Sequence, residues 1–327
     1  MDSGQTRLLL WTLAVVCGVA LRVAPSVGAA PRAGASIVGG DGASIAQFPF
    51  QVALYDTQAG SPAAGFFCGG VIVDATHIAT AAHCVAGAGS GGGQIAVLAG
   101  SSSLAPEAGS IRDGVRASSV DAHYSAASSA YDVALLTLDQ PLWQGSSTPS
   151  VNGVNRIAPL ALDQSASARY ANPNAVPAVV ASASGWGDVN TAPGHVPSYP
   201  IRLRSVRMAL VPDEVCEEQY ALIEQPIGAS MICAGGGRSH LDTCYGDSGG
   251  PLVVDQENPA HPPADYVLAG LVDFGNGCAQ PGYSGVYTRV ANSEVMGFLM
   301  SGIGRGPRSV AAQAKHKKKR KKRRRRR

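Results

Sequence analysis

Short apolar runs separated by turn-forming residues recur through most of this sequence, and they constrain its fold more than any other feature. The runs are rich in Val, Leu and Ile, and the 40 Gly and 21 Pro residues are scattered along the chain without a period. The runs occupy residues 51–55, 66–73, 94–100, 133–138, 201–210, 251–254, 266–274 and 285–290. Many short strands joined by turns are typical of a sandwich or barrel, so we predict an all-β fold.

Helical candidates are few. Residues 212–223 begin with Pro and acidic residues, which helix N-termini prefer. Residues 291–300 place Val295, Phe298 and Leu299 at helical spacing. The apolar pattern is lost from about residue 302. The second segment therefore predicts a helix at the end of the folded region.

Residues 1–30 have the features of a secretory signal peptide. Arg7 precedes an apolar run at residues 8–21, which is shorter than the ~20 residues that span a bilayer. Gly28 and Ala30 then supply the small residues of a cleavage site. We predict removal of this leader after Ala30 and secretion of a soluble protein; a short membrane anchor is the alternative interpretation.

The cysteines indicate disulfides in an exported chain. One of the seven, Cys17, lies in the predicted leader, and the remaining six are Cys68, Cys84, Cys216, Cys233, Cys244 and Cys278. An even number favours disulfide bonds, although spacing does not choose among the possible pairings. No CxxC pair occurs and no histidine stands at ligand spacing from them, so we expect no metal site and no cofactor.

The net charge of +3 conceals two parts of opposite sign. Residues 315–327 hold 12 of the 26 basic residues, whereas residues 37–314 hold 11 Arg, no Lys and 22 acidic residues. We predict an acidic folded domain followed by a disordered polybasic tail at residues 304–327. Two interpretations stay open: the tail binds polyanions by salt-sensitive attraction, or it is dispensable.

Residues 246–250 fit the pattern G-x-S-x-G, with Ser248 as a candidate nucleophile. In α/β-hydrolases this serine starts a helix, and the triad order along the chain is Ser, Asp, His. Here Pro251 and a β-rich run follow the serine. The later histidines are His261, in a Pro-rich turn, and His316, in the tail. The α/β-hydrolase interpretation is therefore disfavoured.

The reverse order, His, Asp, Ser, fits the chain. His83 ends the β-like run at 77–84, and Asp132 heads the apolar run at 133–138. A serine hydroxyl needs a base to remove its proton, and the base needs an acid that fixes its tautomer. We predict that His83 is the base, Asp132 its acidic partner and Ser248 the nucleophile.

Six motifs in this order resemble the chymotrypsin/trypsin-like serine proteases across roughly residues 37–300. They are IVGG (37–40), TAAHC (80–84), DVALL (132–136), GWG (185–187), GDSGGP (246–251) and GVYTRV (285–290). The resemblance implies two antiparallel Greek-key β-barrels in a domain at 37–303, with the active site between them and a C-terminal helix. It also implies the pairings Cys68–Cys84, Cys216–Cys233 and Cys244–Cys278.

The resemblance further implies that the protein is made as a zymogen. Cleavage between Ser36 and Ile37 would remove a short propeptide, residues 31–36, and free an α-amino group at Ile37 that pairs with Asp247. The N–H groups of Gly246 and Ser248 would then form an oxyanion hole. The family usually has Arg or Lys before this bond, so Ser36 implies activation by another protease that prefers small residues.

The resemblance assigns the substrate pocket to three residues. Asp242 matches the pocket base and implies selection of Arg or Lys before the scissile bond, while Gly275 and Gly285 match the walls. We therefore expect a secreted, monomeric trypsin-like endopeptidase whose partners are protein or peptide substrates and an activating protease. A catalytically impaired homologue that binds polyanions through its tail is the alternative.

Three departures from the family pattern affect this expectation. Asp273 stands where the family has a serine that hydrogen-bonds the triad aspartate, and two carboxylates there would repel and raise one pKa. If Asp273 keeps its proton it can donate to Asp132, so we expect weaker activity or an altered pH profile. Ser284 replaces a common Pro. The region between residues 100 and 121 offers only Glu107 and Asp113 as acidic residues, so we predict no calcium site.

Overall fold

The structure, a computed structural model, describes residues 37–303 except 88–93, 145–149, 152–153, 156, 161, 191–195, 237–238 and 256–265. The predicted leader at 1–30, the propeptide at 31–36 and the polybasic tail at 304–327 lie outside the described residues. Among the described residues, no helix combines the length and the apolar character needed to cross a membrane.

The first barrel follows a short strand, β1 (Asp41–Gly42). Its strands are β2 (Gln51–Asp56), β3 (Phe66–Ile72), β4 (His77–Thr80), β5 (Ile95–Ala99), β6 (Ile111–Val120) and β7 (Ala134–Leu138). They close in the order β2-β3-β4-β7-β6-β5, and every neighbouring pair is antiparallel. Strands β2 and β5 are buried along almost their whole length, which explains why they read as continuous apolar runs in the sequence.

The second barrel is built from the later part of the chain, after a two-stranded hairpin of β8 (Ser150–Val151) and β9 (Val154–Asn155). Its strands are β10 (Val180–Gly185), β11 (Arg204–Val211), β12 (Met231–Ala234), β13 (Pro251–Asp255), β14 (Tyr266–Phe274) and β15 (Gly285–Arg289). The order is β11-β10-β13-β14-β15-β12, all antiparallel, and the β11–β12 pairing closes the ring. Strand β1 adds to the outside of β11.

Four helices accompany the barrels in the described part of the chain. They are α1 (Pro62–Gly65), α2 (Gln164–Tyr170), α3 (Asp213–Ala221) and α4 (Ser293–Ile303), and a short 3-10 turn covers Thr57–Ala59. Helix α4 buries Val295, Met296 and Leu299 in a core cluster made mainly of first-barrel residues, although it follows the second barrel in sequence. Gly302 permits this approach, because an added Cβ would lie 2.3 Å from Leu135 Cδ2 on β7.

The prediction of two antiparallel barrels with a C-terminal helix is confirmed. The predicted helices at 212–223 and 291–300 correspond to α3 and α4, with bounds that differ by a few residues. Strands β6, β10 and β12 were absent from the predicted apolar runs. The residues of β6 are mostly polar and only partly buried, so the run IRDGVRASSV carries little apolar signal.

Hydrogen bonds between the barrels hold the loop of the candidate nucleophile. The N–H of Gly69 on β3 donates to the carbonyl of Ser248 over 2.8 Å. Nearby, the buried hydroxyl of Ser184 on β10 donates to Gln51 Oε1 on β2 over 2.7 Å. Because both bonds join the first barrel to the second, they fix where the Ser248 loop lies relative to the loops of the first barrel.

Three disulfides join the six cysteines. The pairs are Cys68–Cys84, Cys216–Cys233 and Cys244–Cys278, which are those that the family resemblance implies. The first ties β3 to the segment that carries His83. The third joins the loop of Ser248 to the segment that follows β14, so both sides of the candidate pocket are covalently linked.

Candidate active site

A buried carboxylate holds His83 in a fixed orientation. His83 lies in the turn after β4, and Asp132, which immediately precedes the run into β7, is fully buried. The Nδ1 atom of His83 lies 2.6 Å from Asp132 Oδ2, and the backbone N–H of His83 donates to Asp132 Oδ1 over 2.8 Å. The carbonyl of Asp132 accepts a 2.7 Å bond from the hydroxyl of Thr288. The imidazole is thus anchored through one ring nitrogen, while its side chain remains about one-third exposed.

Ser248 lies on the same cavity as His83. This cavity has a volume of about 340 Å³, and it is also lined by Asp242, Asp273 and Gly275. Ser248 belongs to the tight turn that leads into β13. The structure therefore brings together residues that are far apart in the sequence, on one concave surface between the barrels.

The turn around Ser248 leaves two backbone donors unused. The N–H groups of Asp247, Gly249 and Gly250 donate to backbone carbonyls, whereas those of Gly246 and Ser248 donate to no carbonyl among the described residues. Gly246 has φ +92°, a conformation that a residue with a side chain rarely adopts. Two free N–H groups beside a nucleophile are the arrangement that binds a developing oxyanion.

Asp242 is a buried carboxylate that lines the cavity. Its Oδ2 accepts the N–H of Ala279 over 2.9 Å, and its Oδ1 has no hydrogen-bond partner among the described residues. Burial raises the pKa of Asp242 to about 7. Gly285 makes room for this carboxylate, since an added Cβ would lie 2.5 Å from Asp242 Oδ1. A carboxylate oxygen left unpaired in a cavity is a site for a cationic group.

Asp247 is fully buried and accepts two backbone hydrogen bonds. Its Oδ1 accepts the N–H of Gly187 over 2.8 Å and its Oδ2 accepts the N–H of Cys244 over 3.0 Å. Burial raises the pKa of Asp247 to about 7. The carboxylate occupies space that side chains at Gly185 and Gly187 would fill, because an added Cβ would approach it to 2.1 Å and 2.3 Å respectively.

The segment that starts at Ile37 lies beside the pocket. The side chain of Ile37 is fully buried in the core of the second barrel, and the carbonyl of Val38 accepts the N–H of Asp242 over 3.2 Å. Ile37 has φ +44°, which is a strained conformation for a β-branched residue. The start of the described chain is therefore docked against the loop that carries Asp242.

Asp273, at the end of β14, lies against Asp132. It is buried, its Oδ2 has no hydrogen-bond partner among the described residues, and its donor atoms lie within 4.8 Å of those of His83 and Asp132. Burial, together with the negative charge of Asp132, raises the pKa of Asp273 to about 10. At neutral pH Asp273 is therefore protonated and able to donate to Asp132.

Sequence reasoning missed several residues that line the cavity. Tyr124, Ala126 and Ser129 form one wall from the loop before Asp132, and Tyr245 forms part of the rim. The loop residues follow no periodic pattern, so nothing in the sequence marked them. Tyr245 immediately precedes Gly246, and its position beside the nucleophile loop was the one available signal.

Comparison with known proteins shows the family of this chain. A family model described as Trypsin matches residues 37–295. The chain is 35% identical to Trypsin zeta of Drosophila melanogaster over 261 residues, covering 78% of this chain and 82% of that protein. It is 34% identical to Trypsin-1 of Astacus astacus over 256 residues, covering 78% and 95%, and 36% identical to Hypodermin-B of Hypoderma lineatum over 281 residues, covering 85% and 93%. The chain belongs to the trypsin family of serine proteases.

Proposed function

We propose that the protein is a serine endopeptidase that cleaves peptide bonds through His83, Asp132 and Ser248. The observation that carries the proposal is the 2.6 Å contact between His83 Nδ1 and the buried Asp132, on the cavity that Ser248 also lines. A histidine that is anchored through Nδ1 keeps Nε2 available as a base towards the cavity.

The reaction proceeds through an acyl-enzyme. Ser248 Oγ attacks the scissile carbonyl carbon while His83 Nε2 takes the hydroxyl proton, and Asp132 stabilises the resulting imidazolium. The N–H groups of Gly246 and Ser248 hold the oxyanion. The imidazolium then gives its proton to the leaving amine as the C–N bond breaks. Water, deprotonated by His83, hydrolyses the ester and restores Ser248.

The proposed specificity is for Arg or Lys before the scissile bond. It is supported by the unpaired Oδ1 of Asp242, a buried oxygen in a cavity wide enough for a long side chain. Gly275 lines the cavity, and Gly285 leaves space for the carboxylate itself. A bound guanidinium or ammonium group lowers the pKa of Asp242 and keeps the carboxylate charged.

Cleavage between Ser36 and Ile37 is the proposed activation step. A new α-amino group at Ile37 would pair with Asp247, which is buried without a cation among the described residues. Cleavage also abolishes the torsion φ of Ile37, whose positive value corresponds to a strain of about 1–3 kcal/mol. N-terminal sequencing of the active enzyme should give Ile37, and another first residue would contradict this step.

The protein is proposed to act outside the cell as a monomer. Three disulfides support an oxidising compartment, and the leader predicted at residues 1–30 would direct secretion. Its partners would be protein or peptide substrates and the activating protease.

The direct test combines labelling with hydrolysis. The chain processed at Ile37 should react with a fluorophosphonate probe at Ser248 and hydrolyse peptide anilides with Arg or Lys before the bond. Ser248→Ala should abolish both signals without changing the melting temperature. Hydrolysis that survives Ser248→Ala, or a preference for Phe or Leu, would contradict the proposal.

A second candidate is a catalytically impaired homologue that binds polyanions through its basic tail. The observation that favours it is the second buried carboxyl, Asp273, beside Asp132. This candidate predicts no probe labelling after processing, together with salt-sensitive retention on a heparin column that is lost when residues 315–327 are deleted. Labelling of Ser248 decides between the two functions.

A further inference from the structure

Asp273, beside the proposed triad, has a carboxyl oxygen without a hydrogen-bond partner among the described residues. This atom is Oδ2, and only about 5% of the residue is exposed. A buried polar atom without a partner destabilises the fold and indicates an unsatisfied position for a ligand. Asp273 lines the cavity that His83 and Ser248 also line.

Three potential ligands converge at this point from separate parts of the fold. The donor atoms of His83, Asp132 and Asp273 lie within 4.8 Å of one another, and the residues come from the turn after β4, the segment before β7 and the end of β14. One imidazole nitrogen and two carboxylate oxygens are a donor set that suits Zn²⁺, whereas Ca²⁺ and Mg²⁺ prefer oxygen donors alone. Binding of Zn²⁺ would displace the proton of Asp273, after which the two carboxylates together offset the charge of the ion.

We propose that His83, Asp132 and Asp273 form an inhibitory site for Zn²⁺, with water from the cavity as the fourth ligand. The inhibitory effect, though not the binding, rests on the function proposed above. Two donors on one tetrahedral zinc with bonds of about 2.0 Å lie roughly 3.3 Å apart. His83 Nδ1 and Asp132 Oδ2 are 2.6 Å apart, so the ion separates them and breaks their hydrogen bond.

The partly exposed His83 ring is the ligand able to move. Its side chain is 37% exposed, while Asp132 is held by the bonds of its carboxylate and carbonyl. Zinc displaces the ring away from Asp132, and this displacement moves Nε2 out of the orientation that Ser248 needs. Zinc therefore inhibits by coordinating both the base and its acidic partner.

Calorimetry tests the site without relying on activity. Zinc chloride is titrated into the full chain carrying Ser248→Ala, which prevents self-cleavage. We expect one zinc ion whose affinity falls at least tenfold in Asp273→Ser and in the similarly sized Asp273→Asn. Asp74→Asn, which removes the separate pair with His77, is the matched control and should leave this binding unchanged. Magnesium chloride should give no binding that depends on Asp273.

Kinetics of the processed enzyme then test the inhibition. Zinc should reduce the hydrolysis of an Arg anilide in the parent, and at least tenfold more zinc should be needed in Asp273→Ser. Unchanged zinc affinity in both Asp273 variants, or no binding in the parent, overturns the proposed site. Zinc binding that depends on Asp273 in a protein without peptidase activity would instead refute the proposed function and leave the site standing.

Discussion

At the scale of single residues, Asp273 changes what the proposed triad does with pH. Burial and the neighbouring Asp132 raise the pKa of Asp273 to about 10, so it is neutral at pH 7 and becomes charged as pH rises through 10. Ionisation would place a second negative charge beside Asp132. We expect kcat/KM of the parent to fall above pH 10, where Asp273 ionises, and Asp273→Ser to remove this alkaline fall.

The measurement is kcat/KM for an Arg anilide from pH 6 to pH 11, on enzyme processed at Ile37. The melting temperature at each pH separates loss of activity from unfolding. Identical profiles for the parent and Asp273→Ser would show that the carboxyl at position 273 does not act on the triad.

Asp242 carries the prediction on specificity. Removing its carboxylate with Asp242→Ser leaves a bound guanidinium buried without a counter-charge, so kcat/KM for Arg substrates should fall about 10⁴-fold. Fluorophosphonate labelling of Ser248 should continue, because the probe needs no cationic group in the pocket. Equal losses for Arg and Leu substrates would mean that the variant damages the site as a whole.

At the scale of elements, the segment that follows β10 shapes the loop that carries the proposed nucleophile. Gly187→Ala would bring a Cβ to 2.3 Å from the Asp247 carboxylate and remove the space in which this side chain sits. Displacement of Asp247 moves the adjacent N–H groups of the proposed oxyanion hole. We expect kcat to fall about 10²–10³-fold, the scale of losing an oxyanion donor.

Gly297→Ala provides the control for this substitution. Gly297 is exposed in helix α4, and an added Cβ meets nothing within 4 Å. It should raise the free energy of unfolding by up to about 1 kcal/mol and leave kcat unchanged. Normal kcat in Gly187→Ala would show that Asp247 can be displaced without effect on the site.

The same elements explain how much of the fold could be predicted from sequence. Strands buried on both faces, such as β2 and β5, are continuously apolar and were found from their composition. Strand β10 was missed because VASASG consists of small residues, although four of its six positions are buried. Small side chains are needed there, since β10 ends at Gly185, against the buried Asp247.

The candidate site could be assigned by sequence motif but not by environment. Motifs identified the residues that now line one cavity, including His83 and Ser248. Sequence alone could not show that Asp242 and Asp273 each have a carboxylate oxygen without a hydrogen-bond partner. The partners of an acidic side chain come from segments that lie more than 30 residues away in the sequence. The wall from the loop before Asp132 was likewise invisible, since its residues follow no periodicity.

At the scale of the whole molecule, the proposed activation step links stability to pH. In the uncleaved chain Asp247 has a pKa of about 7, raised by burial from its ordinary 3.8. The folded state therefore binds a proton that the unfolded state has lost, and stability falls as pH rises from about 4 to 7. Between pH 5 and pH 8 this carboxyl should lower the free energy of unfolding by about 3 kcal/mol.

Urea denaturation of uncleaved Ser248→Ala at pH 5 and pH 8 measures this decrease in the free energy of unfolding. Adding Asp247→Asn should make the decrease smaller. Cleavage at Ile37 should reduce it as well, because the α-amino group keeps the carboxylate charged and lowers its pKa. Asp242, whose pKa is also raised to about 7, remains in all three proteins and accounts for the pH dependence that persists. If cleavage leaves the decrease unchanged while Asp247→Asn removes it, Ile37 does not pair with Asp247, and the activation mechanism is wrong even where cleavage occurs.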